Sequence, residues 1–329
     1  MTGWKRGRNA GVWVPLAVGA TWAGTAALLG GGGPAGIGML RVLGVFAGAA
    51  AIGVVACKRG AMVGAAGLAA LSLTVAVGYF LSIRPSHDRA WTRDQSRLPR
   101  VERAGDRVTV LDTRAFRYRS PEDYDAAWVD RTIDLGDLQG VDFAVERFTD
   151  NEAVAHTLVS FRFDHDDPLV ISVEIRKEIG ESFGPLKGLF RQFELMYVIG
   201  DERDLIELRA VHRADDVYLH PMRATPQQAR AFFLSLLDGA QSVWEQPQFY
   251  NTVSASCTTV LAQHLQQVAD VGLDYRVWLP GYSDALAFDL GLIDTDADFA
   301  TTRSRHHINA RARAAAGTDA FSQRIRAAH

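Results

Sequence analysis

Cys257 follows Ser254-Ala255-Ser256 and opens a run with helical spacing, Val260, Leu261, His264, Leu265 and Val268. A thiol at a helix start feels the positive end of the dipole, which favours thiolate. The first-turn N–H groups at the same place can hold a developing oxyanion. Thiol chemistry of this kind needs a base. His264 is seven residues on, two turns away and too far to take the proton. His87, His306, His307 and His329 lie in linker or tail stretches, and His165 in a turn. His156 begins an apolar run with strand-like alternation, Ala155-His156-Thr157-Leu158-Val159-Ser160-Phe161. A strand histidine beside a helix-start cysteine gives a base for the thiol proton. The competing reading is a buried structural cysteine and an idle strand histidine.

The elements that must position this pair can be read from periodicity. Residues 154–163 and 169–176 read as two strands joined by a turn at 164–168, Asp-His-Asp-Asp-Pro. Centring the turn at residue 166 puts Arg176 opposite His156 and Glu174 one diagonal step away on the same face. Glu174 is therefore the candidate to orient the imidazole, with Arg176 competing for its carboxylate and Ser172 farther along. Further strands are expected at 108–111, 116–119, 132–135, 141–148, 194–200 and 217–219. Helices are expected at 226–244, with Thr225 as cap and Pro226 in the first turn, and at 257–269.

Charge divides the chain. The 329 residues carry 35 basic and 38 acidic side chains, a net −3. Residues 1–83 hold six bases (Lys5, Arg6, Arg8, Arg41, Lys58, Arg59) and no acid, so the remaining 246 residues carry −9. An anionic domain lacks the basic surface that phosphate backbones require, so no nucleic-acid partner is expected. Uncharged stretches at 9–40, 42–57 and 60–83 suggest three transmembrane helices, near 11–30, 40–57 and 61–83. The basic N-terminus then places residue 84 onward outside the cytoplasm, in the periplasm or at the cell exterior. The resulting division is a membrane domain with three transmembrane helices at 1–83, a linker at 84–105, a Cys/His papain-like domain at 106–302 and a basic tail at 303–329. Cys57 and Cys257 are the only cysteines and are too differently placed to form a disulfide framework. No metal ligand set and no nucleotide loop is present: 164–167 is one turn without a second ligand pair, and Gly30–Gly33 adjoins an apolar window. No cofactor is expected.

Several ordered segments carry a resemblance: Arg114-Ala115-Phe116-Arg117-Tyr118, Ala155-His156-Thr157 with Ser160-Phe161, Ile171 to Arg176, Glu194-Leu195-Met196-Tyr197, and Tyr250-Asn251-Thr252 followed by Cys257-Thr258-Thr259. The run from Trp91 to Leu265 resembles the Lnb N-terminal periplasmic domain family of lipoprotein intramolecular transacylases. The resemblance implies a Cys/His active site, carried here by Cys257 and His156. It also implies several N-terminal spans and an outward-facing domain. The family's usual Asn before the cysteine is Ser256 here. The expected fold is α+β: N-terminal transmembrane helices followed by a circularly permuted papain-like domain with an antiparallel sheet and packed helices. The expected function is a membrane-anchored thiol acyltransferase or hydrolase of the inner membrane, taking lipids or lipoproteins through a Cys257 thioester. The alternatives are a cell-wall peptide amidase or peptidase, and a non-enzymatic membrane-tethered binding module.

Overall fold

A computed structural model describes residues 83–327, apart from 166 and 273, together with parts of 66–79. It divides into two compact units, residues 1–86 with 183–193, and residues 87–182 with 194–329. Within the first unit, the described residues include one short helix, Pro185–Leu189. The second unit holds the sheet and the residues of interest.

That unit is α+β with a mixed sheet. Its strands are β1 (Arg100–Ala104), β2 (Arg107–Arg114), β3 (Arg117–Tyr118), β4 (Tyr124–Asp125), β5 (Trp128–Asp134), β6 (Leu138–Arg147), β7 (His156–Phe163), β8 (Leu169–Arg176), β9 (Glu194–Asp201) and β10 (Asp216–Pro221). Seven of them run in the order β1-β2-β9-β8-β7-β6-β10, with β5 paired to β2. The pairings are antiparallel except β2 with β9, which is parallel. The sheet is thus mixed rather than purely antiparallel.

Side chains alternate between the two faces of β6–β9. One face carries Ala144, Leu158, Val170, Met196 and Val198, packed against Leu205, Ile206 and Ala210 and against Ile308, Ala312, Ala315, Phe321 and Ile325. The opposite face carries Phe161, whose ring lies 4.8 Å from Phe233 on the long helix Pro226–Glu245. Thr225 caps that helix by accepting from Gln228 N–H, and Pro226 fills a first-turn position where no N–H is needed. The helix Cys257–Gln266 packs beside it on β7 and β8.

Both ends of this unit are more ordered than the sequence suggests. Residues 84–105, read as a linker, include β1 and the buried Gln95. Residues 303–327, read as a loose basic tail, finish the helix Phe299–His306 and add the helices Asn309–Ala315 and Phe321–Arg324. Ile308, Ala312 and Ala315 fall at helical spacing and turn into the core, while the arginines between them face outward or pair. Replacing Phe321, which is fully buried, with Ala should destabilise the protein by about 3–5 kcal/mol. Urea unfolding reads this directly; a loose tail would give a change near zero.

The N-terminal expectation is corrected. Among the described residues no helix is long and apolar enough to cross a membrane. That overturns the architecture of three N-terminal transmembrane helices, and with it the membrane anchoring and the multi-pass inner-membrane location. The windows 11–30 and 40–57 lie outside the described residues, and 61–83 is described only in part. Freedom from charge is a weaker condition than the unbroken apolar helix of about 20 residues that a span requires.

Candidate active site

The turn before the thiol is built by Asn251. Its side-chain oxygen accepts from the Val253 and Ser254 N–H groups at 2.9 and 3.0 Å, and its backbone bridges to Ala255. The chain then enters the helix through Ser256. The Ser256 hydroxyl accepts from Thr259 N–H at 3.4 Å, while Thr259 Oγ1 accepts from Ser256 N–H at 2.7 Å. This reciprocal cap is what Ser256 supplies in place of asparagine. It fixes Cys257 as the first helical residue and uses the Thr259 N–H. The N–H groups of Cys257 and Thr258 remain as first-turn donors without helical acceptors.

His156 starts β7, so its imidazole sits at the end of the strand, where the helix Cys257–Gln266 begins. Thr157 Oγ1 and Thr258 Oγ1, the hydroxyls of the next residue in each element, lie 3.0 Å apart and tie the strand to the helix. His156 Nε2 is 2.7 Å from Ser172 Oγ, and Ser172 Oγ donates to Glu174 Oε1 at 2.9 Å. The carboxylate itself is 3.7 Å from Nε2. Behind it, Arg209 donates from one nitrogen to Glu174 at 2.8 Å and from another to Glu146 at 2.7 Å. Arg213 adds a contact to Glu146 at 3.3 Å.

These neighbours set the protonation states. Burial alone would raise the Cys257 thiol. The charge of His156, its hydrogen bond, the Thr157 backbone N–H and the Thr258 hydroxyl outweigh burial and bring the thiol from 9.0 to about 7. Burial would lower the His156 imidazole, but Cys257 and then Glu174 hold it above its ordinary value. Glu174 is also buried, which would raise it. Arg209 and His156 prevail and hold it well below the usual carboxylate range. Such a site favours a thiolate–imidazolium pair with an ionised carboxylate behind it, and the two titrating groups share their proton transitions.

His156, Ser172 and Glu174 therefore form one hydrogen-bonded cluster to which the Cys257 thiol is coupled electrostatically, with two differences from the sequence reading. The hairpin pairs Leu158 with Ser172, Val159 with Ile171 and Ser160 with Val170. Its centre is residue 165, one earlier than expected, and the same register carried back puts Glu174 directly opposite His156. Ser172 then stands between the two as a hydrogen-bonded relay. Arg176 does not compete for Glu174. It donates to the Gln95 and Ser96 carbonyls at 2.9 Å each and stacks over Trp91.

Sequence reasoning missed Arg209 and Glu146, and named Thr157, Thr258 and Tyr250 without giving them a role. Arg209 carried a signal, as a lone cation in the apolar run Leu205-Ile206-Glu207-Leu208-Arg209-Ala210. Tyr250 is buried, and burial together with the Cys257 charge raises its hydroxyl. His264 serves a different role. It ties its helix to β9 through Tyr197 Oη at 2.8 Å and to the long helix through Ser235 Oγ at 2.7 Å.

Residues 124–281 match the family model described as the Lnb N-terminal periplasmic domain. That stretch is similar to the Lnb-type domain. The match begins at β4 and ends at Gly281, so it takes in His156, Ser172, Glu174, Arg209 and Cys257 and leaves out β1 to β3 and the C-terminal helices. Similarity to this family is consistent with an enzymatic role. No curated protein and no solved structure matches the chain. Among the described residues no group of three or more His, Cys, Asp or Glu is placed to hold a metal ion.

Glu174→Gln tests the relay. The neutral amide no longer stabilises the imidazolium and leaves Arg209 shared with Glu146 alone. Turnover should fall on the order of ten- to a hundredfold, below what loss of the base itself costs, because Glu174 acts on the ring mainly through Ser172. The kcat should carry the loss, with KM little changed and the far-UV spectrum unaltered. Full activity at normal protein levels would assign the orienting role elsewhere.

Proposed function

We propose that the Lnb-like domain is a cysteine-dependent acyltransferase or hydrolase acting on the ester of a lipid or lipoprotein. The observation that carries this reading is the buried thiol at a helix start, brought to about 7 beside an imidazole with a hydroxyl, a carboxylate and a guanidinium behind it. With Nε2 occupied by Ser172, the other ring nitrogen is left for the thiol.

The steps follow from these positions. Cys257 Sγ attacks the ester carbonyl carbon, and the oxyanion forms beside the Cys257 and Thr258 N–H groups. Collapse breaks the C–O bond, the imidazolium of His156 protonates the leaving alkoxide, and the acyl group stays on sulfur as a thioester. His156, now neutral, takes a proton from the incoming water or amine as it attacks the thioester. The thiolate leaves, and the imidazolium is restored. Water gives hydrolysis; an amine gives transfer.

The substrate class can be tested by incubating the purified chain with a diacylglyceryl lipopeptide and, separately, with a cell-wall peptide. The reading expects fatty acid or N-acyl product from the first and no cleavage of the second. Peptide cleavage with no ester turnover would move the assignment to an amidase. Neither reaction, with the thiol reactive, would overturn the enzymatic reading.

A further inference from the structure

On the sheet face opposite the Glu174–Arg209 network lies a cavity of about 120 Å3. Val141, Phe143 and Val159 form its floor, and Leu261, Phe232 and Leu286 stand among its walls. It sits between the helices Pro226–Glu245, Cys257–Gln266 and Ser283–Asp289. The cavity is partly open to solvent, and an apolar space of about this size accepts a benzene-sized group. Thr258 also lines it. The cavity therefore reaches the residue that follows the nucleophile on the same helix. The Thr258 hydroxyl is already engaged by Thr157 and offers the cavity no unmet polar demand.

We propose that this cavity receives the hydrocarbon chain of the acyl group carried by Cys257, so that the site selects acyl donors by chain length. The inference rests on the acyl-transfer reading and adds the subsite. The sheet and helix start divide the work. The charged relay approaches His156 from one face, and the apolar slot receives the chain on the other. A cavity of this size takes several methylenes, not a whole long chain, so selectivity belongs to the carbons that fit within it. Each methylene newly buried there should improve kcat/KM about fourfold.

The full chain is assayed with p-nitrophenyl acetate, butyrate, hexanoate and octanoate, and with Ala287→Phe, which places a ring in the cavity from the helix Ser283–Asp289. The wild type should gain with chain length over the shorter esters. The variant should lose at least about tenfold in kcat/KM toward octanoate while staying within about twofold on acetate. Binding of the fluorescent fatty acid cis-parinaric acid to the Cys257→Ala chain, with and without Ala287→Phe, gives a readout independent of turnover. Binding that the ring abolishes, with no ester turned over by the wild type, would keep the cavity and reject the acyl-transfer reading. Turnover indifferent to chain length, or binding untouched by the ring, would overturn the subsite. Should Ala287→Phe fail to fold, Ala287→Met carries the same comparison with a flexible side chain, and the wild-type chain-length series decides by itself.

Discussion

Replacing His156 with Gln should move the titration of the Cys257 thiol upward from about 7, to at least its ordinary value of 9.0. The sign follows from what stays and what goes. Burial, which raises the thiol, is untouched by the substitution. The Thr157 N–H and the Thr258 hydroxyl, which lower it, remain. The imidazolium charge and its hydrogen bond, the largest of the lowering influences, are lost. With the thiol at 9.0, the thiolate fraction at pH 7 drops from about a half to about one in a hundred, on the order of fiftyfold. Part of this is returned, because each thiolate is more nucleophilic as its pKa rises, leaving a net slowing of alkylation of roughly sixfold at that pH. The pH midpoint is therefore the diagnostic, read from iodoacetamide alkylation in a Cys57→Ser background so that only Cys257 reports. The variant should react faster than the parent at high pH. An unchanged midpoint would mean that the imidazole and thiol do not interact.

Removing the thiol itself should have the larger effect on turnover. Cys257→Ala takes away the atom on which the acyl group rests, so both halves of the reaction lose their covalent route. Turnover should fall by at least about a thousandfold, to whatever the helix N–H groups and substrate binding support without a nucleophile. The fold should survive, because the Ser256–Thr259 cap and the Asn251 turn position the helix without using the sulfur. Combining Cys257→Ala with His156→Gln should cost little more than either alone, since the two residues act as one unit. Additive losses would point to separate roles.

Much of this site was legible because its parts obey local rules. Strand alternation and the bounding turn gave β8 its limits, and Thr225-Pro226 marked the start of the long helix. A cysteine after Ser254-Ala255-Ser256 marked the second. The partners were harder to read, because they depend on contacts made across the fold. An Asp-rich turn announces a hairpin without fixing its length, so the centre lies one residue earlier than expected and Ser172 is nearer His156 than its expected place farther along the face. Arg209 joins Glu146 and Glu174 from a different element, and no spacing within its own helix identifies them. Residues 303–327 looked like a tail because Arg and Ala dominate them, yet a few apolar positions at helical spacing suffice to dock them in the core. The apolar N-terminal windows lie wholly or partly outside the described residues, among which no helix is long and apolar enough to cross a membrane.

The central claim is that Cys257 carries the acyl group. Intact-mass measurement of the full chain after brief reaction with a diacylglyceryl lipopeptide tests it most directly. The account predicts one added acyl mass, located on the peptide containing Cys257, removed by neutral hydroxylamine and absent from Cys257→Ala. Product release with no such adduct at any time point, or an adduct that persists in Cys257→Ala, would contradict it.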